Sequence, residues 1–351
     1  MSSENNIQNQ FSFKKLLIPI AISVLACVLI FKLFDSEKSL WEIIQSLHFT
    51  LQSCVWLSLA IIAHCLRDLM YMWRLRVLSD KKITWRNSFD VIMLWETASS
   101  ITPSSAGGSG FAMFIINREG ISFGKSTSML IVTVLLDKIY YVLILPILLL
   151  ILGEWDIFPP SMNLISGFEY YLWAGYFVLL FLTILLYYGL FINPQLLKRL
   201  IVKPFFALPF LRRFRRKAAK TGVEIEIASQ ELIKKPFSFF LEAFTATFLS
   251  WTFRFLVLNF IFLAFIPDFD QIIIFCRQLL TWLIMLLPLS PGSSGIAEYA
   301  FMEVMSDVSS KEIIFALILL WRGITFYPYL VIGIIVFPKW LKRTDSITSH
   351  E

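Results

Sequence analysis

Thr102-Pro103-Ser104-Ser105-Ala106-Gly107-Gly108-Ser109-Gly110 and Ser290-Pro291-Gly292-Ser293-Ser294-Gly295 each interrupt an apolar segment, at matching places in the two halves of the chain. A helix that stops inside hydrocarbon leaves backbone N–H and C=O groups without partners. That is tolerated only where those groups are buried in protein or line a cavity. Paired breaks of this kind mark where a polar substrate would sit.

Around these strings the chain is 57% hydrophobic and 16% charged, with mean hydropathy +0.72. Soluble domains lie nearer half apolar and a quarter charged. Six stretches are long enough to cross about 30 Å of hydrocarbon: roughly residues 16 to 34, 50 to 72, 126 to 152, 168 to 191, 237 to 266 and 312 to 337. They are continuously apolar and too long for the alternating strands of an outer-membrane barrel. The expected fold is an all-α polytopic membrane protein, a single transmembrane domain over residues 1–351 with about six full spans plus two re-entrant helical hairpins. Cys27, Cys54, Cys65 and Cys276 fall in apolar runs without C-x-x-C spacing and read as small buried hydrophobes. No small-x-small cleavage site follows the first apolar run, so it reads as an uncleaved anchor.

Lys and Arg set the orientation. The connection at 192–236 carries eleven of them, from Lys198 and Arg199 through Arg212, Arg213, Arg215 and Arg216 to Lys234 and Lys235, whereas 152–167 carries Glu154 and Asp156 and no base. The first is expected to be cytoplasmic and the second outside. Lys14, Lys15, Lys339, Lys342 and Arg343 place both termini in the cytoplasm. Two termini on one side require an even number of crossings. The segment from Ile296 to Ser306 is too short to span and carries Glu298 and Glu303, so the second string is read as a re-entrant turn entered from outside. The first, from Trp85 to Arg118, is flanked by Lys81, Lys82 and Arg86 and enters from the cytoplasm.

The two units align. Pro103 and Pro291 are 188 residues apart, Lys125 and Lys311 are 186 apart, and Lys138 and Arg322 are 184 apart. Units 85–152 and 271–337, one starting inside and the other outside, form an expected inverted-topology repeat with the site between them.

Charges within the spans carry the chemistry. Asp137 and Lys138 sit at the centre of one span and Arg322 at the centre of its counterpart, and each central charge costs on the order of 3 kcal/mol without a partner. Adjacent helical residues point about 100° apart and do not pair with one another, so the partners must come from other helices. Arg254, Arg277, Glu96, Glu242 and Glu298 are the candidates. The structural alternative is an interior ion pair, Asp137 with Arg322 for example, that only fixes packing. The half-helix after Ser290 to Gly295 would offer free N–H groups and a positive dipole end to an anion. Ser104, Ser105, Ser293 and Ser294 could donate hydroxyl hydrogen bonds, although Ser and Gly also suit close helix packing. The basic connection reads as a contact with an anionic lipid surface rather than nucleic acid. No Gly-x-x-x-x-Gly-Lys loop is present for ATP, and His48, His64 and His350 are too scattered to suggest a metal. No cofactor is expected.

Pro103 to Gly108, then Asn117 to Ile121 with Asp137-Lys138, then Leu289 to Glu298 and Trp321-Arg322, together resemble the lysylphosphatidylglycerol synthase transmembrane (flippase-like) family over about residues 10 to 340. Ser290 to Glu298 with Arg322 is the most specific part. The resemblance implies a protein that moves a lipid with a polar, anionic headgroup, a phospholipid or a lipid-linked intermediate, across a bacterial or archaeal cytoplasmic membrane. Taken with the charges within the spans, substrate contacts are expected from Pro103, Ser104, Ser105, Asp137, Lys138, Arg254, Arg277, Ser290, Pro291, Gly292, Ser293, Ser294, Gly295, Glu298 and Arg322. The family's Gly-Glu and Arg after the first proline are absent from Gly107 to Phe114, and its mid-span Glu-Arg stands here as Asp137-Lys138. Members that aminoacylate lipid carry a large soluble domain; only a short polar tail follows Trp340, so synthase activity is not expected. A membrane-embedded transferase would need an acid/base set, for which Glu96, Glu298 and Glu303 are the candidates. An accessory membrane protein would tolerate loss of the central charges.

Overall fold

The computed structural model describes residues 40–102, 105–152, 159, 168–207, 215–285 and 295–348. The expected first span at 16 to 34 lies outside these residues, as do Pro103, Ser104, Ser290, Pro291, Gly292, Ser293 and Ser294. Among the described residues the chain is helical. The helices are α1 (Leu40–Ser46), α2 (Leu51–Leu78), α3 (Trp85–Ile101), α4 (Ser105–Arg118), α5 (Phe123–Leu152), α6 (Phe168–Tyr187), α7 (Pro194–Ala207), α8 (Arg215–Ile233), α9 (Phe237–Phe265), α10 (Gln271–Met285), α11 (Ile296–Val304), α12 (Lys311–Thr325) and α13 (Tyr327–Thr348). A π-helical turn, Tyr188–Ile192, extends α6.

Five apolar helical segments among the described residues are long enough to cross a membrane: Leu51–Leu78, Phe123–Leu152, Trp173–Ile192, Phe237–Phe265 and Lys311–Asp345. They coincide with the five later stretches read from hydropathy. Local chemistry sets their ends. Thr50 caps α2 by accepting from the Ser53 N–H at 3.1 Å, which satisfies one of the donors that a helix start leaves free. Thr84 does the same for α3 through the Asn87 N–H at 3.2 Å. At 1.5 Å per residue α3 is about 25 Å long and α4 about 21 Å, so neither matches the roughly 45 Å of α5.

The expected span 312 to 337 is broken. Helix α12 stops at Thr325, Phe326 adopts φ −121 and ψ −58, and α13 restarts at Tyr327 with Pro328 in its first turn. Proline lacks an N–H and disfavours helical geometry at the preceding residue, which a hydropathy window does not register.

Helices α2 and α9 run antiparallel along their lengths. Ser53 Oγ donates to the Ala264 carbonyl at 2.8 Å and Trp56 stacks on Phe260 at 5.8 Å. Trp73 Nε1 donates to Glu242 at 2.8 Å near the other end. A long helix, two short ones and a further helix occur in this order twice, as α2 to α5 and as α9 to α12. The starts of α2 at Leu51 and of α9 at Phe237 are 186 residues apart, and those of α3 at Trp85 and α10 at Gln271 are also 186 apart. Helix α13 closes on α3, where Thr97 Oγ1 donates to the Tyr329 carbonyl at 2.8 Å.

One end of the bundle gathers the basic residues. Lys125 reaches Asp80 at 2.9 Å and Lys235 also donates to Asp80. Glu119 accepts from Trp340 Nε1 at 2.9 Å and from Arg343 at 2.6 Å, and Arg343 reaches Asp90 at 3.1 Å. The connection at 192–236, read in sequence only as a basic stretch, contains α7 and α8. Lys198 joins Glu226 across them at 3.0 Å, and Glu224 accepts from the Gly124 N–H at 2.8 Å, capping the start of α5.

Two outcomes follow from this packing. A Cβ built on Gly333 would lie 2.3 Å from Thr97 Cγ2, so Gly333→Leu separates α13 from α3 and costs about 1–3 kcal/mol. Thermal unfolding in detergent should show the fall, whereas Gly110→Ala, with nothing within 4 Å, should not lower the midpoint. Burial would raise the Asp80 carboxyl, but hydrogen bonds from Lys235 and Lys125 outweigh it and hold the group below the usual carboxylate range. A depressed carboxyl stabilises the fold at neutral pH and loses that contribution as pH falls through its folded value. For a partly exposed cluster the contribution is about 1 kcal/mol or less. Asp80→Asn should therefore lower the midpoint at pH 7, and the difference from wild type should shrink as pH falls below the usual carboxylate range, as read from unfolding curves over that range.

Candidate functional site

Helix α2 places His64, Arg67, Asp68, Tyr71 and Arg74 at helical spacing, which brings them to one face. That face meets α3, α5 and α9 in the interior. Arg67, 2% exposed, reaches Glu96 of α3 at 2.5 Å and Asp68 at 3.2 Å. Tyr329 of α13 donates its hydroxyl to Asp68 at 2.8 Å. Arg74 donates to Asp137 of α5 at 2.5 Å and to Thr247 of α9 at 3.3 Å. Trp251 Nε1 makes a second donation to Asp137 at 2.8 Å. Arg254 of α9 donates to Tyr71 at 3.2 Å, stands 3.6 Å from Glu96, and lies 4.9 Å over the Trp251 ring.

Of these groups Tyr71, Arg74, Glu96, Asp137, Trp251 and Arg254 line a cavity of about 450 Å³, together with Lys138, Tyr141 and Trp282. Ser99 and Ser109, on either side of the break between α3 and α4, line it as well. Lys138 is half-buried and has no hydrogen bond or ion pair among the described residues. Its charge is therefore available to an occupant of the cavity. Among the described residues, Arg254 Nε and the Tyr141 hydroxyl are buried there without hydrogen-bond partners.

The second break has different chemistry. Gly295, at φ +88, a conformation that favours glycine, precedes α11. Its N–H donates to Glu298 at 2.7 Å. Glu298 in turn accepts from Arg322 Nε at 2.8 Å, and the pair is sealed, with side-chain exposures of 0% and 4%. Arg277 holds Asp307 in a two-pronged contact at 2.5 and 2.8 Å. The interior pair weighed in sequence, Asp137 with Arg322, is not formed. Asp137 faces α2 and α9 and is taken by Arg74, while Arg322 faces α11 and takes Glu298. Lys138 and Arg322 thus occupy separate surroundings. Arg322, Arg277 and Glu298 do not line the cavity, whereas Asp137, Lys138 and Arg254 do. Ser105 opens α4. Glu242 serves as acceptor for Trp73.

Arg67, Asp68 and Arg74 are site residues that the sequence pattern did not bring forward. The signal was available: Arg67 and Arg74, at i and i+7, share a helix face. The hydropathy stretch ended at 72, so Arg74 fell outside it. Among the described residues no group of three or more His, Cys, Asp or Glu side chains is placed to hold a metal ion.

Over residues 16–333 the chain matches the family described as the lysylphosphatidylglycerol synthase TM region. A UPF0104 membrane protein of Archaeoglobus fulgidus is 27% identical over 330 residues, spanning 91% of this chain and 95% of that protein. No solved structure matches. The helical bundle, its long apolar helices and the match over most of the chain lead to one conclusion: this is an integral, multi-pass membrane protein that belongs to the lysylphosphatidylglycerol synthase transmembrane-region family.

Proposed function

We propose that the protein moves a lipid with an anionic headgroup between the leaflets of a bacterial or archaeal cytoplasmic membrane. The observation that carries this reading is Lys138, a base at the middle of a long apolar helix that lines the cavity and makes no hydrogen bond or ion pair among the described residues. An ionisable group inside a membrane is costly, and where it faces a cavity it marks a pathway. The cavity adjoins a helix break bordered by Ser99 and Ser109, where backbone groups released by the break can serve a headgroup.

In this reading α3 with α4 and α10 with α11 are re-entrant hairpins, and the two helix series are inverted repeats. The twofold occurrence of the same helix order and the antiparallel course of α2 and α9 support it. The basic end is cytoplasmic by the distribution of Lys and Arg and carries both termini. Helix α7, with Lys198, Arg199 and Lys203 beside exposed Leu200 and Phe206, rests on the anionic lipid surface. The protein acts without a resident cofactor, does not bind nucleic acid, and performs no covalent chemistry.

Vesicles containing the purified protein and a fluorescent phosphatidylglycerol should expose more inner-leaflet probe to an impermeant quencher than protein-free vesicles do. Lys138→Gln should slow that exposure by about tenfold or more. A wild-type rate equal to that of protein-free vesicles would refute transport. For orientation, a cysteine replacing Arg215 should resist an impermeant thiol reagent applied to intact cells, and labelling from outside would reverse the assigned topology.

A further inference from the structure

The charge balance of the cavity limits the valence of its occupant. Among the described residues three bases line it, Arg74, Lys138 and Arg254, together with two carboxylates, Glu96 and Asp137. Arg67 and Asp68 adjoin Glu96 as a base and an acid 3.2 Å apart and leave the balance unchanged. Arg74 answers Asp137, and Arg254 answers Glu96. One positive charge is left over, on Lys138.

We infer that the cavity is selective for a monoanionic phosphodiester headgroup, of the kind glycerophospholipids carry, over zwitterionic and pyrophosphate-linked lipids. An uncompensated charge in a low-dielectric interior is costly, and a cavity with one charge in excess is neutralised by one opposite charge. A zwitterionic headgroup brings an extra cation next to Lys138 and Arg254, while a pyrophosphate brings at least one negative charge too many. The phosphate oxygens are acceptors for Lys138 Nζ, the lining base left unpaired. A volume of about 450 Å³ lies within the usual range for small-ligand sites. The lipid's route through the membrane rests on the transport reading, but the charge selectivity does not.

The test measures binding and transport separately on the full chain. Native mass spectrometry in detergent should show dioleoylphosphatidylglycerol bound about tenfold more tightly than dioleoylphosphatidylcholine or polyprenyl pyrophosphate. Lys138→Gln should remove that preference and Lys138→Arg, which keeps the charge, should retain it. Equal binding of the three lipids, a preference for the pyrophosphate, or a preference unchanged in Lys138→Gln would overturn the inference. Deacylated glycerophosphoglycerol supplies the same chemistry from water and should bind about tenfold more weakly than the lipid; equal binding would assign the site to a soluble phosphodiester and overturn its assignment to a lipid. The quencher assay in vesicles runs alongside. Selective binding without translocation would overturn transport alone, and translocation without charge preference would overturn this inference alone.

Discussion

The pairing of two arginines on α2 with carboxylates from other helices is the constraint on which the interior depends. Arg67 and Arg74 stand two turns apart on one face of a helix in an apolar bundle, and a buried arginine cannot shed its charge. Each must therefore be met by an acid. Glu96 comes from α3 and Asp137 from α5, and meeting them sets how both helices are rotated about α2. Helix α9 completes the arrangement with Thr247, Trp251 and Arg254. The cavity is what remains between helices held by these contacts.

The two helix breaks are chemically unlike despite their similar sequences. Glu298 and Arg322 form a closed pair that also ties down the Gly295 N–H. Removing one member of such a pair leaves the other charge buried alone, at a cost of about 3–5 kcal/mol. Arg322 variants would thus report on folding as much as on any contact with a lipid. Around the first break, Glu96 and Asp137 keep 22% and 26% of their side-chain surface accessible, and Lys138 has no acid of its own among the described residues.

The basic end links these interior features to the surface. Glu224 of α8 caps α5 at Gly124, and α5 carries Asp137 and Lys138. Asp80 collects Lys125 and Lys235 from two other parts of the chain, while Glu119 collects Trp340 and Arg343 from α13. Helix starts and ends that are distant in sequence are joined there by ion pairs that are partly exposed at Asp80 and largely buried at Glu119. The partly exposed ones are individually weak, and together the pairs set the register of the helix ends.

Hydropathy alone was enough to locate four long helices and a fifth, broken helical segment among the described residues, because a continuous apolar run of that length is stable in lipid as helix. The punctuation at Pro103 likewise announced in the sequence that α3 ends at Ile101, since proline and glycine act through the local backbone; Pro291 lies outside the described residues. Pro328 shows the same rule overlooked: an apolar window spans the break at Phe326 without registering it. Charge pairing was not legible in this way. Asp137 needed a base from another helix, and sequence offered Arg322 by repeat position, whereas the tertiary structure supplied Arg74. Which of several arginines meets a carboxylate depends on helix rotation and crossing, and those are set by packing between segments far apart in the chain. The sequence by itself determined an all-helical membrane protein with broken helices and interior charges; only the tertiary structure decided which charges cancel and that Lys138 is left over, because that balance is a property of neighbours in space.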